Sequence, residues 1–380
     1  MQQIQSDINR NYLVGKRLRM AREVCGKTIK EVAKQVGVSA QALSMYELGR
    51  YTVSSEMFRK LNFIYKMPYE YYMKQLPTDT GFGQVYFRSF STATATKRRV
   101  EEIRADWFAK EMVSDLLSTN TIKFPTVDKI FMQIKESTSI DKRVNKDFEF
   151  LTGYIRREWN LGKAPIDNLT RLLESKGVVI SKIFLDDVID GFSFWYDGRP
   201  FIFVNKGNNA FRLRMSIAHE LCHLLFHEAE DVEKNLSKIE KEASMFASCF
   251  LLPKFSFSDD IISTSLEQLL LLKPKWKVSV QAMIMRCEQL GLISDTRYVY
   301  LQKQISRKKW RKVEPLDLET QAEEPVLLKQ AINLLLDKKV FSIAQIKDLM
   351  PFPIDFIEES CNLPKGRLNE DNIMFIKLNR

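Results

Sequence analysis

The sequence predicts a multidomain, mainly α protein with an α+β domain in its middle. Three observations carry this expectation. A chain of 380 residues exceeds what one ordinary hydrophobic core holds. Only 14 glycines and 12 prolines stand against 45% apolar residues, which suits helices better than an all-β fold. Helical periodicity gives way, between residues 177 and 205, to short runs of strand character. The expected layout is an all-α domain at 1–75, a linker and helical connector at 76–160, an α+β domain with a small mixed sheet at 161–262, and a mostly helical region at 263–380.

Residues 12–73 read as a series of short helices. Leu13, Leu18, Met20 and Val24 mark an apolar stripe on the first. Thr28 caps a second over 29–36 that stops at Gly37, and Ser39 caps a third over 40–48 that stops at Gly49. A hydroxyl accepts from the free amides of a first turn, and glycine takes up the left-handed stop without strain. A fourth helix starts near residues 54–56 and runs to about 65. Residues 76–96, with Pro77, Gly81, Gly83 and a Ser/Thr-rich end, break periodicity and read as a linker. Helical pattern resumes over 97–117 and over 148–159. A helix over 165–175 precedes a strand over 177–183. Two further strands, 191–196 and 200–205, meet at Asp197-Gly198, a strong hairpin signal. Helices follow over 214–227 and 240–252, the latter stopped by Pro253. The tail is helical, with a basic patch at 307–312.

The net charge is +10, and six of those charges fall in residues 1–60, where eleven Lys and Arg face five acids. A basic surplus gathered on a small helical domain points to a nucleic acid partner. The first residues lack a basic stretch followed by an apolar one, and apolar runs such as 269–272 are far too short for a bilayer, so no membrane partner is expected. Five scattered cysteines imply free thiols in a reducing compartment, hence a cytoplasmic location.

The chemistry concentrates at His219-Glu220-Leu221-Cys222-His223. On a helix, positions four apart share a face, so His219 and His223 can grip one Zn2+ ion. Zinc makes water acidic, and Glu220 stands where it can take the proton as general base. The three histidines of the chain are those at 219, 223 and 227, which is hard to reconcile with chance. An exposed amphipathic helix is the bland alternative, but Ile217, Leu221, Leu224 and Leu225 form a separate apolar face that meets the packing need by itself. A catalytic zinc takes a third protein ligand. Phe226 and Ala229 exclude the metzincin pattern, and no other histidine remains, so a carboxylate of the next helix is expected. Glu240 shares a face with Ala243, Ser244 and Ala247, small residues that permit close approach, and is preferred. Glu242 is the alternative. His227, a further turn along, either donates to a developing oxyanion or stands at the rim of the cleft.

On these residues, 160–260 resemble the ImmA/IrrE family of metallopeptidases, through segments 188–192, 200–205, 214–227 and 240–253. The resemblance implies an α+β metallopeptidase domain with His219, His223 and Glu240 as zinc ligands and Glu220 as base. Cys222 replaces the family's usual glycine. The N-terminal region resembles the XRE/Cro-type helix-turn-helix, with Gly37-Val38-Ser39 as its turn and Ser44, Glu47, Gly49 and Arg50 fitting the rest. In that class the third helix enters the major groove. Its early residues Ala40, Gln41, Ser44 and Met45 would meet bases, and Arg17, Lys30, Lys34 and Arg50 would meet phosphates of an operator. By analogy, a homodimer would bind a two-fold site.

The leading expectation is a DNA-binding regulator that cleaves a repressor, another regulatory protein or itself, in a stress, phage or mobile-element circuit. The alternatives are a regulator whose zinc domain is a non-proteolytic sensor or scaffold, and an antitoxin-like regulator.

Overall fold

The computed structural model describes residues 2–77, 83–86, 94–140, 147–227 and 229–369, with side chains outside 2–9, 83–86, 136–140 and 229–234. The chain divides into two compact units. One comprises Met1–Thr80, Phe90–Phe124 and Leu327–Arg380; the other comprises Gly81–Ser89 and Pro125–Val326. The connector and the C-terminal region therefore do not stand as separate domains, since each is shared between the two units. The reason is burial. The short helices Leu327–Asp337, Ile343–Leu349 and Ile354–Ser360 cannot form a core alone, and they bury Ile332, Leu335, Ile346 and Ile357 within the first unit.

The first unit opens with α1 (Gln2–Val24), α2 (Ile29–Val36), α3 (Ala40–Glu47), α4 (Ser55–Tyr65) and α5 (Tyr69–Met73). Thr28 and Glu31 form a reciprocal capping box at the start of α2, and Gly37, at φ 76°, ends it. Ser39 accepts the Ala42 amide at 3.1 Å to start α3. Leu18, Ala21, Val32, Leu43 and Leu61 make the core. Arg22 ties α1 to α3 through a two-pronged pair with Glu47, at 2.6 and 2.9 Å. The helix expected over 97–117 is not regular. Ala95–Asp106 continues into a π-helical stretch, Trp107–Val113, before Ser114–Ser118. That stretch turns Trp107 onto Tyr71, Phe352 and Phe356, with ring centroids 5.4, 5.1 and 5.6 Å away.

The second unit is built on a four-stranded mixed sheet. Its strands are β1 (Gly83–Tyr86), β2 (Val179–Ile183), β3 (Gly191–Tyr196) and β4 (Arg199–Asn205), in the order β1-β3-β4-β2. The β3–β4 hairpin turns at Asp197 and Gly198, both at positive φ (47° and 70°), as a two-residue hairpin of this hand demands. β2 runs parallel to β4, and β1 runs antiparallel to β3. β1 falls in the stretch read as linker. Pairing with the edge of β3 makes it a strand, and no local periodicity announces that. Phe192, Phe194, Phe201 and Phe203 stack on one face of the sheet, while Trp195, Ile202 and Val204 enter the core against Ile217, Leu221 and Leu224.

The helix carrying the histidines spans Ala210–Phe226, one turn earlier than expected, because Asn209 caps it by accepting the Arg212 amide at 2.9 Å. The helix expected over 165–175 is shorter, Leu169–Ser175, because Asn168 caps it. The helix carrying Glu240 spans Ala229–Leu251 with a break at Asn235 (φ −142°, ψ 35°). All five cysteines are free thiols; Cys25 is exposed and the rest are buried. Among the described residues no helix is long and apolar enough to cross a membrane.

Candidate metal centre

Two helices and one strand assemble the site. The histidine helix lies on the sheet, held there by the Trp195 indole N–H, which donates to the Leu224 carbonyl at 3.1 Å. The glutamate helix packs into the same core, where its Ala243 and Ala247 are fully buried in one cluster with Ile217, Leu221 and Leu224 of the histidine helix. Glu240 is thereby brought over the histidine pair. His219 Nε2 lies 2.9 Å from Glu240 Oε2, His223 Nε2 lies 3.6 Å from Glu240 Oε1, and the two Nε2 atoms are 3.1 Å apart. The ligand atoms of these three side chains lie within 4.8 Å of one another, the one such group among the described residues. Two imidazole nitrogens and a carboxylate oxygen are a donor set suited to zinc with a position left open. Glu242 belongs to a different contact, described below.

Electrostatics favour the metal-binding forms. Burial pushes the His223 imidazole down to about 3, so it is neutral near pH 7. Burial works to raise the Glu240 carboxyl, but hydrogen bonds with His219 and His223 outweigh it and hold the group at about 2. The site thus presents the Glu240 anion and a neutral His223 nitrogen.

Glu220 is 5% exposed and faces β3. The Ser193 hydroxyl, fully buried, donates to Glu220 Oε2 at 2.7 Å. Gly191 leaves room beside it: a Cβ there would stand 2.7 Å from the Phe203 carbonyl oxygen and 3.6 Å from Glu220 Cγ. Neither residue is visible as a site residue in the sequence. A serine in an apolar strand carries no motif, and a useful signal would have been the polar side chain alternating inward at Phe192-Ser193-Phe194. Cys222 is fully buried and lies outside the ligand group, which fits a small residue packed inside a helix.

Of the two placements expected of His227, burial overturns the one at the rim of the cleft. It is 3% exposed, so it is not at a rim. Its Nδ1 lies 2.9 Å from His223 Nδ1 and its Nε2 lies 3.2 Å from Glu242 Oε2. The helix ends at Phe226, and the extended backbone at His227 (φ −114°, ψ 141°) folds the ring back over His223.

On α3, Gln41 is exposed and Ala40, Ser44 and Met45 are half-buried; Lys30, Lys34 and Arg50 are exposed. Arg17 contradicts its expected role at a phosphate. It is fully buried, donates to both oxygens of Glu111 at 2.9 Å, and reaches the Lys74 and Gln75 carbonyls at 3.1 and 2.8 Å. Burial closes the Arg17 guanidinium off from any phosphate.

Residues 173–288 match the family model described as the IrrE N-terminal-like domain, a peptidase family, and residues 15–76 match a helix-turn-helix domain model. The first match runs beyond residue 262 and takes in the helices Leu266–Trp276 and most of Val280–Gln289, whose Leu269, Trp276 and Met283 share the core of the histidine helix. No curated protein matches the chain. The chain is thus similar to a helix-turn-helix domain over residues 15–76 and to an IrrE N-terminal-like peptidase domain over residues 173–288.

Proposed function

We propose that this protein is a transcriptional regulator that binds operator DNA through its first unit and hydrolyses a regulatory protein, a repressor or its own chain, through a zinc site in its second. The supporting observation is the convergence of His219 Nε2, His223 Nε2 and the buried Glu240 carboxylate beside a restrained Glu220. These three residues would hold Zn2+. The bound ion supplies Lewis acidity, which makes water acidic and polarises a peptide carbonyl. Glu220 takes the proton released as water adds to that carbonyl. It then passes the proton to the departing amine as the C–N bond breaks. Ser193 keeps the Glu220 carboxylate in one rotamer for both transfers.

In the first unit, Ala40, Gln41, Ser44 and Met45 read base edges, and Lys30, Lys34 and Arg50 neutralise phosphates. Two copies bind a two-fold operator. The test incubates the purified chain with Zn2+ and a library of candidate repressors. Fragments that vanish with Glu220→Gln support the reading. No cleavage under any inducing condition, with Glu220→Ala behaving as wild type in cells, would defeat it.

A further inference from the structure

A second set of contacts lies behind His223, away from Glu240. We infer that Glu242, acting through His227, fixes the tautomer and ring orientation of His223, making both residues positioning residues of the metal centre. The inference rests on the zinc reading of His219, His223 and Glu240.

Its basis is that the proton positions are forced. His223 turns Nε2 toward His219 and Glu240, so Nε2 must carry the lone pair when it ligates. The His223 proton is then on Nδ1, which lies 2.9 Å from His227 Nδ1. His227 Nδ1 must therefore accept, since a proton there would set two N–H groups head to head. That leaves the His227 proton on Nε2, which lies 3.2 Å from Glu242 Oε2, an acceptor only. Every link has one direction: His223 donates to His227, and His227 donates to Glu242. A carboxylate at the end of such a chain raises the basicity of the ligating nitrogen and stops the ring from turning over.

The setting fits this use. His223 and His227 are 2% and 3% exposed, so water does not compete for the link between them. Glu242 stands on the same helix as Glu240, half a turn away, so one helix supplies both a ligand and the end of the chain behind another ligand. The Lys238 ammonium lies 3.8 Å from the other Glu242 oxygen.

The experiment uses the full-length protein and measures affinity for Zn2+ and Co2+ by competition with a chromophoric chelator. Glu242→Gln keeps the shape and removes the charge; His227→Phe removes the acceptor. Each is expected to weaken metal binding about 10–100-fold while one equivalent still binds and the Co2+ visible spectrum keeps its four-coordinate intensity. The double variant should be no weaker than the worse single variant, because the two residues act in series. The unfolding midpoint of the metal-free Glu242→Gln protein should match wild type, which a merely structural role would not require together with lost affinity. Wild-type affinity in Glu242→Gln, or purely additive losses, overturns the inference. If His227→Phe fails to fold, Glu242→Gln decides alone. The underlying zinc reading fails separately, if wild type does not bind one equivalent or Glu240→Gln binds as wild type does.

Discussion

At the scale of single residues, the proposed function assigns metal binding to His219, His223 and Glu240 and proton transfer to Glu220. Glu220→Gln should lower peptide cleavage by about 10²–10⁴-fold, the usual worth of a general base, and leave the metal content at one equivalent. Ser193→Ala removes the 2.7 Å hydrogen bond to Glu220. It should cost about tenfold in kcat with KM unchanged, since only the orientation of the base is lost. Steady-state kinetics and metal analysis on the same samples check both. The buried imidazole also predicts a pH dependence. In the metal-free protein, burial holds His223 down to about 3, whereas the unfolded chain titrates it near 6.5. Below pH 6.5 the unfolded state takes a proton that the folded state refuses. Stability is therefore full above that value and falls as pH drops toward 3, by up to about 1.4 kcal/mol per pH unit from this group alone. Glu240, held at about 2, adds to the fall below roughly pH 4.3. Denaturant midpoints across pH 4–8 measure it, and a flat profile would contradict the buried neutral ring. The histidine pair was legible in sequence because a spacing of four is a statement about one helix. Ser193 was not, because its role depends on which helix covers β3.

At the scale of elements, two arginines with similar sequence settings behave oppositely. Arg17 is fully buried against Glu111, while Arg50 is exposed just after α3. Arg17→Ala strands a buried carboxylate and should destabilise the first unit by about 3–5 kcal/mol. Arg50→Ala should leave the unfolding midpoint unchanged and reduce the slope of log K for DNA against log salt by about one. Calorimetry and binding titrations at several salt concentrations distinguish them; a destabilised Arg50 variant or a stable Arg17 variant would reverse the assignment. Caps explain why α2, α3 and α4 were placed within a residue by sequence: Thr28, Ser39 and Ser54 each accept an amide of their own first turn. Where the cap is less conspicuous, as at Asn168 and Asn209, the helix bounds drifted.

At the scale of the whole molecule, chain order and spatial order part company. The segment after residue 326 completes the first unit, placing Phe352 and Phe356 on Trp107 and the Leu349 carbonyl 2.9 Å from the Lys74 ammonium. A chain ending at residue 326 would expose Trp107 and Tyr71. Its first unit should unfold at a lower temperature and be cut faster by protease, whereas zinc stoichiometry of the second unit should be unchanged. Equal thermal and proteolytic resistance of the short and full chains would show that the tail does not complete that core.

What the sequence determined by itself is local: hydroxyl caps, glycine stops, the Asp197-Gly198 turn, and two histidines one helical turn apart with a glutamate between them. These follow from interactions within a few residues, which a linear pattern records. The tertiary structure alone decided that Glu240 rather than Glu242 meets the histidine pair, that His227 turns inward, that Arg17 is spent on Glu111, and that 83–86 is a strand. Each of those depends on which surfaces come together over long sequence separations, and burial reassigns the work of a charged or polar side chain once it is closed off from water.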